Sequence, residues 1–371
     1  MSPYAHITGW GMCVPQRVVT NEDLSKQVDT SDEWIRERTG IRERHIAGAE
    51  ESTATLATEA ALNALRVANL SPDEVDLIVV STSSPEHIFP ATACLVQDRI
   101  GATKAGAFDL LAACSGFIYA LNMASQAIRS GSVKNVLVIG SDTLSRLTDW
   151  EDRNTCVLFG DGAGAFVLQA GEELGGVVSA VMRSDGSGGD SLSVPAGGSR
   201  LPASAETVLN RQHYIHMNGR EVYRFATRVM VQATKEAVGK ADLTLDDIQL
   251  VIPHQANQRI LEAALRGLDI PPERCISNVE RYGNTSTASI PIAACEAIQQ
   301  GRLQSGDWIV FVGFGAGLTW GAAVVKWTGP FLPHREIYPA SYRAWIKLRS
   351  SLLRWLRRVE GWIWGRKFPE I

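Results

Sequence analysis

The stretch DEVDLIV at residues 73–79 recurs as DDIQLVI at residues 246–252, an offset of 173 positions. In each copy a short acidic segment precedes a continuous apolar run, which is the pattern of a strand buried on both faces. Later features keep a similar spacing, because Cys114 and Thr285 each open a helical pattern that ends at a glycine. The repeat therefore predicts an α/β protein built from two halves with the same order of strands and helices.

The repeat divides the chain into three parts. We expect a first half at residues 1–172, a second half at residues 173–327 and a tail at residues 328–371. Residues 186–215 interrupt the second half with a stretch rich in Gly, Ser, Pro and Ala. A long irregular stretch in a compact domain is usually functional or mobile, so we expect a surface loop or lid near a substrate entrance, with a disordered insertion as the alternative.

The composition is that of a soluble globular protein. Hydrophobic residues make up 45% of the chain and charged residues 20%. The net charge of −4 argues against nucleic acid as a main partner. The six cysteines are scattered, with no CxxC pair and no histidine at metal-ligand spacing, so we expect reduced thiols, a cytoplasmic location and no metal site. The N-terminal segment does not have the pattern of a signal peptide.

Residues 308–325 run without a charge for a length near the lower limit of a transmembrane helix. Four glycines and several β-branched residues lie within this segment. They favour two buried strands around a tight turn, with a membrane span as the minor alternative.

Cys114 lies in FDLLAACSGFIYALNMASQAIRSG, between an apolar run and a helical pattern. This position predicts a strand-to-helix junction, where the helix N-terminus favours the nucleophilic thiolate over the thiol. A buried structural cysteine is the alternative for this residue.

His254 and Asn284 are candidate partners of Cys114. His254 follows the apolar strand of the second copy, at the carboxyl end where α/β proteins place their chemistry. Asn284 begins the helix that the repeat equates with the Cys114 helix, so pseudo-twofold packing is expected to bring Asn284 and Cys114 together. A neutral histidine and an asparagine both donate hydrogen bonds, and together they stabilise an enolate. The alternatives are an ordinary loop histidine and a turn asparagine.

The motifs AACSGF, HQANQRI and RYGNTSTAS resemble, in this order and spacing, the β-ketoacyl-acyl-carrier-protein synthase III family. TSDEWIRERTGIRERHIA at residues 30–47 and GFGAGLTWG at residues 313–321 add two further matches. The resemblance covers about residues 1–327 and implies the thiolase fold, in which two βαβαβαββ-type halves form a layered αβαβα sandwich. It also implies a cytoplasmic homodimer without a cofactor, since CoA thioesters are substrates.

The resemblance further implies a reaction and a set of site residues. The reaction is a decarboxylative condensation of an acyl-CoA primer, such as acetyl-CoA, with malonyl-acyl carrier protein, giving a 3-oxoacyl-carrier protein, carbon dioxide and CoA at the start of type II fatty acid biosynthesis. Cys114, His254 and Asn284 match the catalytic positions, and the backbone N–H groups of Cys114 and Ala316 match the oxyanion hole. The remaining matches are Trp34, Arg38, Thr39, Arg153 and Asn257 for CoA, Phe89 for the acyl pocket, and Arg224, Arg259 and Arg266 for the carrier protein.

Residues after Trp327 depart from the family. Pro330, Pro333 and Pro339 indicate a linker. The segment 341–364 then places tryptophans and aliphatic residues at three- and four-residue spacing among basic residues. This pattern predicts a basic amphipathic helix that makes peripheral contact with a membrane, or one that covers an apolar patch on the core or a partner.

Two alternative functions stay open. A relative with a different acyl donor or acceptor, in secondary metabolism or with long acyl chains, has the same motifs. A catalytically inactive thiolase-like binding protein is disfavoured by the intact trio of Cys114, His254 and Asn284.

Overall fold

The computed structural model describes residues 3–329 and 340–363 of the chain. Two larger sheets form its frame. The first sheet has the strand order β1-β7-β6-β4-β5, and the second has the order β8-β13-β12-β11. The strands of the first sheet are β1 (Tyr4–Cys13), β4 (Leu77–Ser81), β5 (Gly106–Leu110), β6 (Asn135–Thr143) and β7 (Asp161–Gly171). Those of the second sheet are β8 (Gly176–Ser184), β11 (Leu250–Pro253), β12 (Trp308–Gly315) and β13 (Thr319–Lys326).

Two small ribbons, eleven α-helices and several short 3-10 turns complete the described part of the chain. One ribbon pairs β2 (Val18–Thr20) with β3 (Glu43–His45), and the other pairs β9 (Leu192–Ser193) with β10 (His216–Met217). The helices are α1 (Asn21–Ser25), α2 (Asp32–Thr39), α3 (Thr53–Ala68), α4 (Thr92–Ile100), α5 (Gly116–Arg129), α6 (Ala205–Leu209), α7 (Gly219–Lys240), α8 (Gln258–Leu268), α9 (Val279–Tyr282), α10 (Ser289–Gln299) and α11 (Ala340–Ile363).

The two sheets repeat the same topology. In the first, β4 pairs parallel with β6 and β6 pairs antiparallel with β7, which in turn pairs antiparallel with β1. In the second, β11 pairs parallel with β12, β12 pairs antiparallel with β13, and β13 pairs antiparallel with β8. The strands that open the repeat, β4 and β11, contain the apolar runs of residues 73–79 and 246–252. Almost all residues of these two strands are buried. The predicted α/β architecture with two similar halves is therefore confirmed, while the division at residues 172 and 327 stays a prediction.

The sheets and helices stack in five layers. Helices α5 and α10 lie between the two sheets, α3 and α4 cover the outer face of the first sheet, and α7 with α8 covers the second. Three phenylalanines from β7, α5 and β12 pack together between the sheets. The ring of Phe166 lies 5.2 Å from that of Phe117 and 5.8 Å from that of Phe311. This is the αβαβα arrangement expected of a thiolase fold.

The uncharged stretch at residues 308–325 forms β12 and most of β13, which pair antiparallel around a short turn. Both strands are largely buried. The interpretation as core strands is correct, and the alternative of a membrane span is wrong.

The predicted tail helix is present as α11, and it packs against α4. Within residues 3–329 and 340–363, no helix combines the length and apolar character needed to cross a membrane. The predicted proline linker falls on residues outside the described part of the chain.

Candidate active site

Cys114 lies in a single turn, Ala113–Ser115, that leads from β5 into α5. Ala113 has a left-handed backbone with φ of 47°, which non-glycine residues adopt rarely and mostly at functional turns. The predicted strand-to-helix junction is therefore present. Cys114 lines a cavity, and its backbone N–H lies just before the N-terminus of α5.

The repeat places a second turn of the same kind beside the first. Ser286 lies 173 residues after Ala113 and also has a left-handed backbone, with φ of 51°. Its turn, Ser286–Ala288, leads into α10 as the first turn leads into α5. The hydroxyl of Ser286 donates a hydrogen bond to Sγ of Cys114 at 3.3 Å. The two equivalent turns therefore meet at the sulfur atom.

Asn284 lies two residues before Ser286 and hydrogen-bonds to the same turn. Its Oδ1 accepts a hydrogen bond from the backbone N–H of Ser286 at 2.9 Å. Its own backbone pairs with the first half, donating to Leu158 O at 2.8 Å and accepting from Gly160 N at 3.0 Å. Because Oδ1 is engaged, Nδ2 is the end of the amide that remains to donate toward the cavity.

His254 directly follows β11 and continues the pairing of that strand, donating from its backbone to Val312 O at 2.8 Å. Nδ1 of its imidazole lies 2.6 Å from the hydroxyl of Ser289, the first residue of α10. The ring of Phe314 packs edge-on against the imidazole at 5.3 Å. These contacts on Nδ1 and on the ring face leave Nε2 for a substrate.

Strand β12 brings His254 and Cys114 to one place. A Cβ atom on Gly313 would lie 3.4 Å from Cβ of His254, and one on Gly315 would lie 2.6 Å from the backbone N of Cys114. Only glycine fits at residue 315. Gly313 and Gly315 are two positions apart on the same face of the strand, roughly 7 Å along it, so this one face contacts both His254 and Cys114.

A buried carboxylate holds the halves together behind the sulfur. One oxygen of Asp142 accepts hydrogen bonds from Ser83 N at 2.7 Å and from the Ser84 hydroxyl at 2.8 Å. The other oxygen accepts from the backbone and hydroxyl of Thr287 at 3.1 and 2.8 Å. Asp142 itself is fully buried. It therefore fixes the Ser286 turn of the second half on strands of the first.

Burial determines the protonation of both titratable groups. It raises the pKa of the Cys114 thiol to about 12, although the hydrogen bond from Ser286 acts in the opposite direction. Burial therefore acts against the free thiolate that the helix N-terminus is expected to favour. Burial also lowers the pKa of His254 to about 3, so the imidazole is neutral at pH 7.

One cavity of about 1770 Å³ holds the predicted trio, with Cys114, His254 and Asn284 all in its wall. Ala316 lies there too and does not have a positive φ, so its methyl group is compatible with the backbone at this position. Leu192, Val194 and Arg211 of the 186–215 stretch also line the cavity. The stretch is therefore an ordered part of the cavity wall that contains β9 and α6, and the alternative of a disordered insertion is wrong. A role as a lid at a substrate entrance stays a prediction.

Trp34 marks one end of the cavity, and most residues matched to CoA gather around it. The guanidinium groups of Arg38 and Arg153 lie 4.8 and 5.3 Å from the indole. Thr39 lines the same wall, and Asn257 donates to the backbone of Arg38 at 3.0 Å. Arg153 also pairs with Asp29 at 3.3 Å. A base stacked between Trp34 and Arg153 therefore requires the Arg153 side chain to move aside.

Two of the three arginines matched to the carrier protein lie at the mouth of this cavity. Arg224 on α7 and Arg259 on α8 are exposed there, together with Arg220, which the sequence analysis missed. Arg220 and Arg224 share a face of α7 through their four-residue spacing, a signal that was available in the sequence. Arg266 lies further along α8 and lines a separate pocket.

Phe89 does not lie in the wall of the cavity. Its side chain is 83% exposed, next to Ile88, which is 86% exposed. The structure of one chain therefore does not bring the residue matched to the acyl pocket to the pocket of that same chain.

The five layers, and a cavity that joins a cysteine at a helix N-terminus to a neutral histidine and an asparagine amide, define a condensing enzyme of the thiolase fold. Family models described as 3-oxoacyl-[acyl-carrier-protein] synthase III match residues 108–186, and those for its C-terminal part match residues 238–327. A β-ketoacyl-[acyl-carrier-protein] synthase III of Roseiflexus sp. (strain RS-1) is 52% identical over 88% of this chain and 100% of its own length.

Solved structures agree with this relationship. The 3-oxoacyl-[acyl-carrier-protein] synthase III from Aquifex aeolicus VF5 is 49% identical and covers 87% of this chain and 100% of its own, with a TM-score of 0.81. A priming β-ketosynthase from the R1128 polyketide biosynthetic pathway is 34% identical and covers 89% of this chain and 98% of its own, with a TM-score of 0.83. The chain belongs to the β-ketoacyl-acyl-carrier-protein synthase III family.

Proposed function

We propose that the chain catalyses the condensation of an acyl-CoA primer, acetyl-CoA first among them, with malonyl-acyl carrier protein. The products are a 3-oxoacyl-carrier protein, carbon dioxide and CoA, and the reaction initiates type II fatty acid biosynthesis. The observation that carries this proposal is the shared cavity whose wall holds Cys114, His254 and Asn284, where two equivalent turns meet and Ser286 donates to the Cys114 sulfur.

In the first half-reaction the thiol of Cys114 attacks the thioester carbonyl of the primer. A bond forms between Sγ and the carbonyl carbon, the bond to the CoA sulfur breaks, and CoA leaves as a thiol that carries the proton from Cys114. The backbone N–H groups of Cys114 and Ala316 bind the oxyanion, and the N-terminus of α5 adds the positive end of its dipole. The raised pKa of the free thiol means that the nucleophile ionises only as it reacts.

In the second half-reaction the malonyl thioester oxygen accepts hydrogen bonds from Nε2 of His254 and Nδ2 of Asn284. The bond to the carboxylate breaks, carbon dioxide leaves, and its electron pair forms an enolate that these two donors stabilise. The enolate carbon then attacks the acyl carbon on Cys114, so that a carbon–carbon bond forms and the bond from that carbon to Sγ breaks. The released thiolate takes up a proton from water. A neutral imidazole suits this role, and the low pKa of His254 keeps it neutral.

The ends of the cavity suit the two carriers. Trp34, with Arg38 and Arg153, offers a flat aromatic surface and cations to the adenine and phosphates of CoA. Arg224 and Arg259, with Arg220 beside them, offer positive charge to an acidic carrier protein, and Arg266 extends this surface along α8.

We further propose a homodimer in which Phe89 of one copy closes the acyl pocket of the other. Strand β5 is at the edge of the first sheet, so its backbone is available to pair with a second copy. Next to it, Ile88, Phe89 and Leu111 are 77 to 86% exposed. Leu111 also lines the active-site cavity, so a copy seated on this patch completes the cavity wall. The bulk of Phe89 then favours short primers.

A cytoplasmic location fits the proposed acyl-CoA and carrier-protein substrates. All six cysteines are unpaired in the structure, as expected for a reducing compartment.

A relative specialised for secondary metabolism is the second candidate function. The likeness to the R1128 priming ketosynthase favours it, since that protein shares the fold at 34% identity. The two candidates differ in the acyl donor that they prefer.

The test is a condensation assay with a panel of acyl-CoA donors and malonyl-acyl carrier protein, read out by the mass of the carrier protein and by carbon dioxide release. A 3-oxobutyryl-carrier protein formed most rapidly from acetyl-CoA supports the first function. A strong preference for a longer or branched donor supports the second, and no product from any donor contradicts both.

A further inference from the structure

Helix α11 lies after the last residue that the family model matches, and one of its faces is fixed to the core. Ile346 is buried against Gly101, at the end of α4. One turn further along α11, Ser350 hydrogen-bonds to Asp98 of α4 and Arg354 donates to the same carboxylate at 3.3 Å. These contacts hold the helix in one orientation about its axis, so its opposite side faces outward.

That outward side carries a stripe of large apolar residues. Five of them are 45 to 69% exposed: Trp345, Leu348, Leu352, Trp355 and Leu356. At about 100° of rotation per residue they occupy an arc of roughly 100°, centred about 170° from the docked face. Single exposed apolar residues are ordinary on protein surfaces, but a contiguous stripe on a docked helix marks an interaction surface.

Positive charge accompanies the stripe. Arg349 lies on one side of it and Arg358 on the other, and Arg357 is exposed as well. Residues 340–363 contain six basic side chains and one acidic side chain, although the whole chain has a net charge of −4. Tryptophan and leucine on one side of a helix, with arginines along its edges, is the composition of helices that lie in the interface of an anionic bilayer.

We propose that the stripe of α11 rests on an anionic lipid surface and holds the enzyme at the membrane. The indole and leucine side chains enter the headgroup region while the arginines bind lipid phosphates. A second copy of the chain fits this face poorly, because an isologous contact brings the same arginine-edged stripe against itself. The stripe is also distinct from the Phe89 patch, and the inference does not depend on the condensing activity.

Co-sedimentation of the full chain with lipid vesicles tests this. One set of vesicles is phosphatidylcholine alone, and the other mixes phosphatidylcholine with phosphatidylglycerol. The variant Leu352→Glu places a charge in the stripe, and Leu174→Glu is its matched control, since Leu174 is 44% exposed in the turn between β7 and β8 and Leu352 is 53% exposed. Circular dichroism and condensation rates establish that both variants fold.

We expect the wild type and Leu174→Glu to sediment with phosphatidylglycerol vesicles, much less with phosphatidylcholine, and less as salt is raised. Leu352→Glu is expected to bind about tenfold more weakly. Equal sedimentation of Leu352→Glu and wild type overturns the proposal, as does wild-type binding that is the same with and without phosphatidylglycerol. A larger solution mass for wild type than for Leu352→Glu by light scattering overturns it too, since a second copy then occupies the stripe. A chain that binds lipid in this pattern but condenses no donor leaves this inference standing and contradicts only the proposed function.

Discussion

Nδ1 of His254 lies 2.6 Å from the hydroxyl of Ser289, which ties the imidazole to the first residue of α10. When Ser289 donates this hydrogen bond, Nδ1 is the acceptor and the ring proton is on Nε2, the nitrogen that faces the substrate. We therefore expect Ser289 to be a positioning residue that selects the tautomer able to stabilise an enolate.

Ser289→Ala is expected to slow decarboxylation of malonyl-acyl carrier protein by roughly three- to tenfold, the value of one neutral hydrogen bond. Acylation of Cys114 by acetyl-CoA should change little, because the oxyanion hole is formed by other groups. Carbon dioxide release and single-turnover acylation measure the two steps separately. Ser289→Thr, which keeps the hydroxyl, should recover most of the rate. An equal loss in both steps would indicate a merely structural role.

The thiol of Cys114 should react more rapidly at every higher pH in the working range. Its pKa is raised to about 12 by burial, so below that value the thiolate fraction grows about tenfold per pH unit. The rate of alkylation by iodoacetamide, followed by intact mass from about pH 6 to about pH 9, is expected to rise log-linearly with pH. A plateau near neutral pH would show that the helix N-terminus outweighs burial after all.

Asp142→Asn should lower the free energy of unfolding. The carboxylate accepts from backbone N–H groups of Ser83 and Thr287 on its two oxygens, and an amide must turn a donor toward one of them. An unsatisfied buried donor costs about 1–3 kcal/mol, and urea unfolding measures the loss. Asp246→Asn, at an exposed position, is the control and should unfold like the wild type. Equal stability of the two variants would remove Asp142 from the account of how the halves are joined.

Much of this architecture was predictable because the sequence repeat itself indicates two halves with the same order of strands and helices. Buried strands β4 and β11 have continuous apolar runs, and the equivalent helices follow at similar spacing. The topology, and the position of Cys114 and Asn284 in the wall of one cavity, were therefore predictable from pattern alone. The glycines between residues 313 and 321 likewise distinguished a strand pair from a membrane span.

The remaining features depend on three-dimensional packing. Ser286 and Ser289 resemble ordinary turn residues in the sequence, and only folding places one on the sulfur and the other on the imidazole. The pKa of Cys114 depends on how completely the site excludes water, which a local helix pattern does not encode. The docked face of α11 could not be predicted from the sequence either, since its partner Asp98 is more than two hundred residues away.

Trp34→Ala should raise the KM for acetyl-CoA by about tenfold or more with little change in kcat, because base stacking on an aromatic ring contributes about 1–3 kcal/mol to binding and none to the chemistry. Trp34→Phe keeps a ring and should retain most of the affinity. Initial rates at varied acetyl-CoA with saturating malonyl-acyl carrier protein give both constants. A fall in kcat with KM unchanged would place Trp34 outside the CoA site.

The most direct test of the account is intact-mass spectrometry of the protein after brief exposure to acetyl-CoA without malonyl-acyl carrier protein. We predict a gain of one acetyl group on the wild type, mapped by proteolysis to Cys114, no gain on Cys114→Ser, and loss of the group when malonyl-acyl carrier protein is added. An acetyl group found on another cysteine, or retained by Cys114→Ser, would contradict the assignment of the nucleophile.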